Sequence, residues 1–256
     1  MPKRPSRAAS PQTEELRRQI VSSEPKARIE AAFELAKVGI FHGVATLMEE
    51  LGSSSWSVRS SAAHYLGRIG APRSLPLLAK IAESDPESQT RNVGIYALEG
   101  LGRGACVSPL IACLDDSDPA RREDARTALV RVLGKSVLSV LSDDMNLYDE
   151  DAGEPGKDAG ELSRVRSWFT SVSSQFLPDK VYYMGVFAHP KVFIAQLREN
   201  LNTPMDAVLM KLEDWTGESF GSKPIKKVVG QWESWLGKHG GEYQAGQRYF
   251  YGYKID

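Results

Sequence analysis

Cysteine is almost missing from this chain: Cys106 and Cys113 are the only two in 256 residues. Seven residues apart in a helical segment, their α-carbons would stand about 10 Å apart at the usual rise of 1.5 Å per residue, too far for a disulfide. Two cysteines also fall short of any structural zinc pattern, so both read as small buried hydrophobes. Histidine is nearly as scarce. His42, His64, His189 and His239 occur in no HExxH or HxxxH spacing, which leaves metal catalysis unsupported. His64 aligns with Tyr96 of the following repeat and reads as a packing residue. No GxGxxG, GxxxxGK[ST] or GxSxG segment occurs either. An excess of positive charge is also lacking. Lys and Arg number 32 against 33 Asp and Glu, for a net charge of −1, so a phosphate-binding surface is not expected and nucleic acid is not the favoured partner. The apolar runs are far shorter than a membrane span, and MPKRPSRAASPQ at the start lacks the apolar centre of a secretory signal. A cytoplasmic protein with no membrane partner is the expectation.

What the sequence has instead is a period. AAFELAKVG closes at Gly39, SSAAHYLGRIG at Gly70, VGIYALEGLG at Gly102 and DARTALVRVLG at Gly134, so these glycines recur every 31 or 32 residues. Four positions before each stand Leu35, Leu66, Leu98 and Val130, and immediately before each stand Val38, Ile69, Leu101 and Leu133. The three-residue offset between the two sets puts both on one buried helical stripe, and the glycine suits a left-handed C-terminal cap. Glu24-Pro25, Asp85-Pro86 and Asp118-Pro119 mark helix starts, because an acidic N-cap accepts from first-turn amides and proline at the first helical position gives up only an unpaired N–H. A second apolar segment follows each glycine: Val44 and Leu47, Leu75 and Leu78, Val107 and Leu110. In the fourth copy Leu138 and Leu141 lie one residue closer to their glycine, which predicts a shortened or rotated helix.

Each unit is therefore an antiparallel helix pair, too small to bury its apolar face alone and stable only when stacked on neighbours. DPESQTRNVGIYALEGLG and SWSVRSSAAHYLGRIGAPRSLPLLAKIAES resemble the short bacterial HEAT repeat related to phycobilisome-lyase-type repeats. The resemblance covers residues 24–142 and implies an all-α, HEAT-like α-solenoid. Arg28, Arg59 and Arg91 each precede their glycine by eleven residues. Such a column could form a basic stripe, but the resemblance to HEAT-like stacks implies that an arginine at this point pairs with carboxylates and carbonyls of an adjacent turn; in the fourth repeat Glu123 stands there beside Arg122.

Residues 142–161 carry eight acidic residues, three glycines and one proline and read as an exposed linker. Beyond it, Leu162, Val165, Trp168, Phe169, Val172 and Phe176 fall at helical spacing, and Pro190 and Thr203-Pro204 start two further helices, the last ending at Gly217. The organisation expected is a disordered basic tail over 1–12, HEAT-like repeats over 13–142, an acidic loop over 143–161, divergent HEAT-like helices continuing the array over 162–217, and a Trp- and Tyr-rich cap over 218–256. In the last segment TGESFG precedes QWESWLGKHGGEYQAGQRYFYGYKID; it resembles the C-terminal part of a poorly characterised group of bacterial HEAT-repeat proteins, some of them encoded near secretion or toxin systems. The tail reads as an irregular or hairpin element capping the final repeat. Its alternative role is a hot spot for a partner, built from Trp232, Trp235, Arg248, Tyr249 and Tyr251, since Trp, Tyr and Arg dominate interface energetics.

Three function classes follow. A non-enzymatic protein-binding scaffold using the groove of the second helices is favoured, with an accessory or immunity protein of a toxin or secretion apparatus as a narrower form that the resemblance alone implies. A tetrapyrrole lyase or isomerase, as among distant HEAT relatives, lacks supporting residues. A nucleic-acid binder would need a concentrated basic groove. No catalytic, metal or cofactor-binding residue is expected, and the partner is another protein.

Overall fold

Glycine at positive φ ends the first helix of each unit: φ is +81° at Gly39, +77° at Gly70, +61° at Gly102 and +79° at Gly134, left-handed helical at Gly70 and Gly102 but extended in ψ at Gly134. The computed structural model describes residues 10–141, 160–199, 205–221 and 225–256. The N-terminal segment before Ser10, the acidic stretch 142–159 and Thr203-Pro204 lie outside them. Four first helices, α2 (Pro25–Lys37), α4 (Trp56–Ile69), α6 (Ser88–Leu101) and α8 (Pro119–Leu133), pack side by side in one layer. The second helices α3 (Gly43–Glu50), α5 (Leu75–Ser84) and α7 (Val107–Ala112) form the other. Helix α3 touches both α2 and α4, whereas α5 packs on α6 and α7 on α8, the first helices of the units that follow. Every unit thus completes its core on its neighbour. This is an all-α solenoid of stacked helix pairs, with two small hairpins added.

Leu35, Leu66, Leu98, Ile69, Leu101 and Leu133 are fully buried as the period requires, as are Leu47, Leu78, Val107 and Leu110. Val38 and Val130 are only half-buried. In the fourth unit the second helix shrinks to a 3-10 turn, Lys135–Ser139. There Val137 enters the core and Leu138 faces solvent, because the tighter turn rotates the chain by one position relative to an α-helix.

Three local expectations are corrected. Pro11 and Gln12 belong to α1 (Pro11–Gln19), not to a tail: Ser10 Oγ accepts from Thr13 N at 3.1 Å and Pro11 occupies the first helical position. Of the three acidic helix starts, only Asp118 caps with its side chain, accepting from Ala120 N at 2.9 Å. Glu24 makes no such bond. Helix α6 begins at Ser88 rather than Pro86; Asp85 lies before it, bound to Arg59 at 2.6 and 2.8 Å and accepting from Glu87 N at 3.0 Å.

The arginine column is structural. Arg28 donates to Glu50 (2.7 Å) and to the carbonyls of Ser22 and Ser23; Arg59 binds Asp85 and the carbonyls of Ser53 and Ser54; Arg91 grips Asp116 at 2.6 and 3.0 Å and the Asp85 carbonyl. Arg122 occupies this place in the fourth unit, donating to the Asp116 and Ser117 carbonyls. All four are the fourth residue of their helix, so the column keeps register with helix starts; α8, at 15 residues against 14 in α4 and α6, is one longer, which is why Glu123 occupies the position eleven before the glycine.

Past its first helix, the second half does not extend the stack. Helix α9 (Glu161–Val172) packs against α7, with Glu161 held by Arg126 at 2.7 and 2.8 Å. Then α10 (Pro190–Glu199), α11 (Met205–Thr216) and α12 (Ile225–His239) gather a separate core around Phe193, Leu212, Trp215 and Trp232. This cluster lies on the C-terminal ends of the first helices. Hairpin β1–β2 (Tyr182–Tyr183, Val186–Phe187) delivers Tyr182 N to the Gly102 carbonyl and Met184 N and Gly185 N to the carbonyls of Arg131 and Val132. Helix ends leave carbonyls without partners, and here the second half supplies the donors. This pairing, invisible to a period of 32, joins the second half to the array.

Candidate interaction surfaces

The C-terminal hairpin, β3 (Arg248–Phe250) and β4 (Tyr253–Ile255), turns through Tyr251 (φ +50°) and Gly252 (φ +81°), a tight connection whose twist matches paired strands. Its turn amides cap α11: Tyr251 N donates to the Asp214 carbonyl and Gly252 N to that of Trp215. The hairpin then reaches the first units. Phe250 is fully buried, 5.5 Å from the Phe33 ring, and the Tyr253 ring lies where a side chain on Gly39 would stand. The tail therefore clasps the beginning of the array rather than capping its last repeat.

This placement decides the five aromatic and arginine candidates. Trp232 and Tyr249 are buried, and Trp235 and Tyr251 are half-buried. Trp232 meets Trp235 edge-on at 5.6 Å and Phe220 at 4.8 Å, and Trp235 stacks on His239 at 5.3 Å. Arg248, 5% exposed, donates Nε to the Ile69 carbonyl and Nη2 to the Arg68 carbonyl and lies 5.3 Å from the Trp215 ring centre. Burial lowers its pKa to about 10, against the favourable field of Asp214. A side chain on Gly70 would collide with this guanidinium, so Gly70 is needed for space as well as for its positive φ. The five do not form one exposed patch: Trp232, Trp235 and Tyr249 pack within the second core, while Arg248 and Tyr251 reach the array, at the carbonyls of Arg68 and Ile69 and at Lys37.

Two concave features have largely apolar walls. A groove of about 790 Å³ runs between α3, α5 and β4, lined by Phe41, Val44, Met48, Leu77 and Ile255, with Arg73, Lys254, Glu49 and Asp256 at its borders. Leu77 is 37% exposed there. A smaller cavity of about 330 Å³ lies where α11 crosses α4 and α6. Its wall holds two buried ion pairs that the sequence reading missed. Glu99 accepts from Arg131 at 2.8 Å and from Lys211 at 2.9 Å, and Asp214 takes Arg68 in a bidentate pair at 3.0 and 2.6 Å. Burial pushes the Glu99 carboxyl up, but Lys211 and Arg131 outweigh it and hold the group below its ordinary value. The only local signal was Glu99 and Arg131 standing three residues before Gly102 and Gly134, charged positions inside an otherwise apolar stripe.

Chemically reactive groups are subdued. Cys106 and Cys113 are free and buried, and burial raises both thiols to about 12, far from the thiolate a nucleophile requires. Among the described residues no group of three or more His, Cys, Asp or Glu could hold a metal ion, and no helix is long and apolar enough to cross a membrane.

Comparison with curated proteins gave no match. Among solved structures, one similar chain is an engineered protein solved by the Northeast Structural Genomics Consortium, 15% identical, with 90% of this chain and 98% of that one covered and a TM-score of 0.41. The family model for HEAT repeats matches residues 13–99, the stretch from α1 into α6.

Proposed function

We propose that this protein is a non-enzymatic scaffold that binds another protein through the groove between α3, α5 and β4. The observation that carries the reading is the groove itself. It is the largest concavity described above, walled by apolar side chains of the second helices and closed on one side by the C-terminal strand. Concave, largely apolar clefts with a few polar borders are where anchoring side chains bind, and stacked helix pairs generally present such surfaces to proteins. Its borders alternate in sign, Arg73 and Lys254 with Glu49 and Asp256, which favours a protein segment with apolar anchors over a polyanion such as nucleic acid. A cytoplasmic setting accords with the two free cysteines. The narrower role of accessory or immunity protein for a toxin or secretion apparatus is supported by the resemblance of the TGESFG and Trp232–Trp235 segment alone.

The test uses the full chain. Partners recovered by crosslinking from the native cell are purified and titrated against wild type and Leu77→Glu, a change at a partly exposed site that leaves the core intact. Loss of at least about tenfold in affinity, ~1.4 kcal/mol, supports the groove. Unchanged binding by Leu77→Glu, with loss in Phe187→Glu on the exposed β1–β2 hairpin, overturns it.

A further inference from the structure

We propose that the cavity between α4, α6 and α11 is a binding site for a small organic anion, one carboxylate or phosphate group attached to an apolar body. The first support is charge count. Arg68, Arg131, Lys211 and Arg248 line the cavity against two carboxylates, Glu99 and Asp214. Pairing uses both carboxylates fully: Asp214 holds Arg68 at two nitrogens, and Glu99 gives one oxygen each to Arg131 and Lys211. The wall is left with an excess of two positive charges. Such an excess in a confined, largely apolar space is costly until an anion enters it.

The second support is unspent hydrogen-bonding capacity. A guanidinium carries five N–H donors in a fixed fork. Arg248 spends Nε and Nη2 on the carbonyls that end α4, and its charge meets no carboxylate oxygen. Its Nη1 has no partner among the described residues, and the same holds for Arg68 Nη1 and Arg131 Nη2; none of the three is sealed from solvent, so an incoming oxygen can reach them. Planar forks with free edges suit carboxylate and phosphate oxygens. The α4 terminus balances part of the Arg248 charge through the negative end of its helix dipole, but a dipole end occupies none of these free N–H groups.

The third support is the remaining lining. Val93, Ala97, Ala207 and Met210 give the wall apolar faces beside the rings of His64 and Tyr96, and Tyr96 and Met210, 41% and 40% exposed, remain open to solvent. A volume of about 330 Å³ is the lower end of ligand-sized cavities. It accommodates a short acyl or alkyl body with its acid group on the arginines.

Calorimetric titration and thermal shift of the full chain test this with five probes: hexanoate, hexyl phosphate, inorganic phosphate, hexanol and hexylammonium. The expected result is saturable binding of hexanoate or hexyl phosphate, weakening as salt is raised, with whichever head group binds more tightly naming the source. Inorganic phosphate should bind at least about tenfold more weakly, and hexanol and hexylammonium not at all. Ala207→Glu places a tethered carboxylate on the wall; it should hold or raise the melting temperature while abolishing probe binding, and Ala207→Gln should preserve binding. Absence of saturable binding by both hexyl anions overturns the proposal. So does equal binding of hexanol, inorganic phosphate as strong as hexyl phosphate, or undiminished binding by a folded Ala207→Glu.

Discussion

Two glycines inside helices, each replaced by alanine, should move stability in opposite directions. In an exposed helix interior this change is favourable by about 0.8–1 kcal/mol, because alanine loses less backbone entropy. Gly230, on the solvent side of α12, has nothing within 4 Å of where its Cβ would be, so Gly230→Ala should gain roughly that full amount. Gly94 lies buried in α6 against α5. A Cβ there would stand 2.6 Å from Ala82 N, 2.8 Å from Ala82 Cα and 3.0 Å from Ile81 Cγ2. The first two are backbone atoms and cannot rotate aside, so α5 and α6 must separate along the contact that joins two units. Overpacking of this kind costs about 1–3 kcal/mol, and with backbone atoms having to give way the upper part of that range applies and exceeds the propensity gain. Gly94→Ala should therefore be less stable than wild type by up to ~2 kcal/mol net. Urea denaturation of both variants, with the m-value checked for constancy, measures the difference. A Gly94→Ala protein as stable as Gly230→Ala would refute the close approach of α5 and α6.

Three further outcomes are expected. Leu66→Ala and Leu98→Ala, each emptying a fully buried site, should cost roughly 2–5 kcal/mol in denaturant titration, and a neutral result would mean the helical register is wrong. Phe250→Ala should cost about 3–5 kcal/mol although it lies far along the chain from the array, and backbone amides of α2 should lose hydrogen-exchange protection with it. Glu99 has a folded-state pKa below its unfolded value, so its stabilisation is fully present above the unfolded pKa of about 4.3 and is lost as pH falls through the folded value. Stability curves of wild type and Glu99→Gln should be well separated at neutral pH and converge in acid; a gap that stays constant down to pH 3 would show that Glu99 is not held ionised.

The stacked array was legible because its signals are local and repeated. A glycine at each helix end, Leu35, Leu66 and Leu98 four residues before it and an arginine near each helix start all follow from helix geometry within one unit. A hairpin was within reach too, since Tyr251-Gly252 sits between Tyr249-Phe250 and Tyr253. Its destination was not legible. Arg248 binds the carbonyls of residues 68 and 69, Lys211 pairs with Glu99, and Asp214 with Arg68; each pairing joins segments more than a hundred residues apart and leaves no period to find. Aromatic composition marked Trp232, Arg248 and Tyr249 as energetically important, but composition does not distinguish an exposed anchor from a buried one. The fold-back was hidden for the same reason. Carbonyls at the ends of α6 and α8 need donors, yet nothing near them in sequence says that residues 182–185 provide them.

The clasp of β3–β4 on α2 and α4 has a kinetic consequence. Stacked repeats ordinarily fold from contacts between neighbours, start at any point and spread, so their contact order is low and partial arrays persist. Here Arg248 must find the end of α4 across 179 residues. Closing so long a loop costs only modestly more entropy than closing a shorter one, but it can happen only after residue 248 and its hairpin have been synthesised. During translation the first two units therefore stand with the Phe33 and Gly39 surfaces uncovered, open to aggregation, and their unfolding later becomes coupled to that of the last strand. Inserting or deleting one unit would shift α4 away from Arg248, so this array, unlike an open solenoid, has a fixed length.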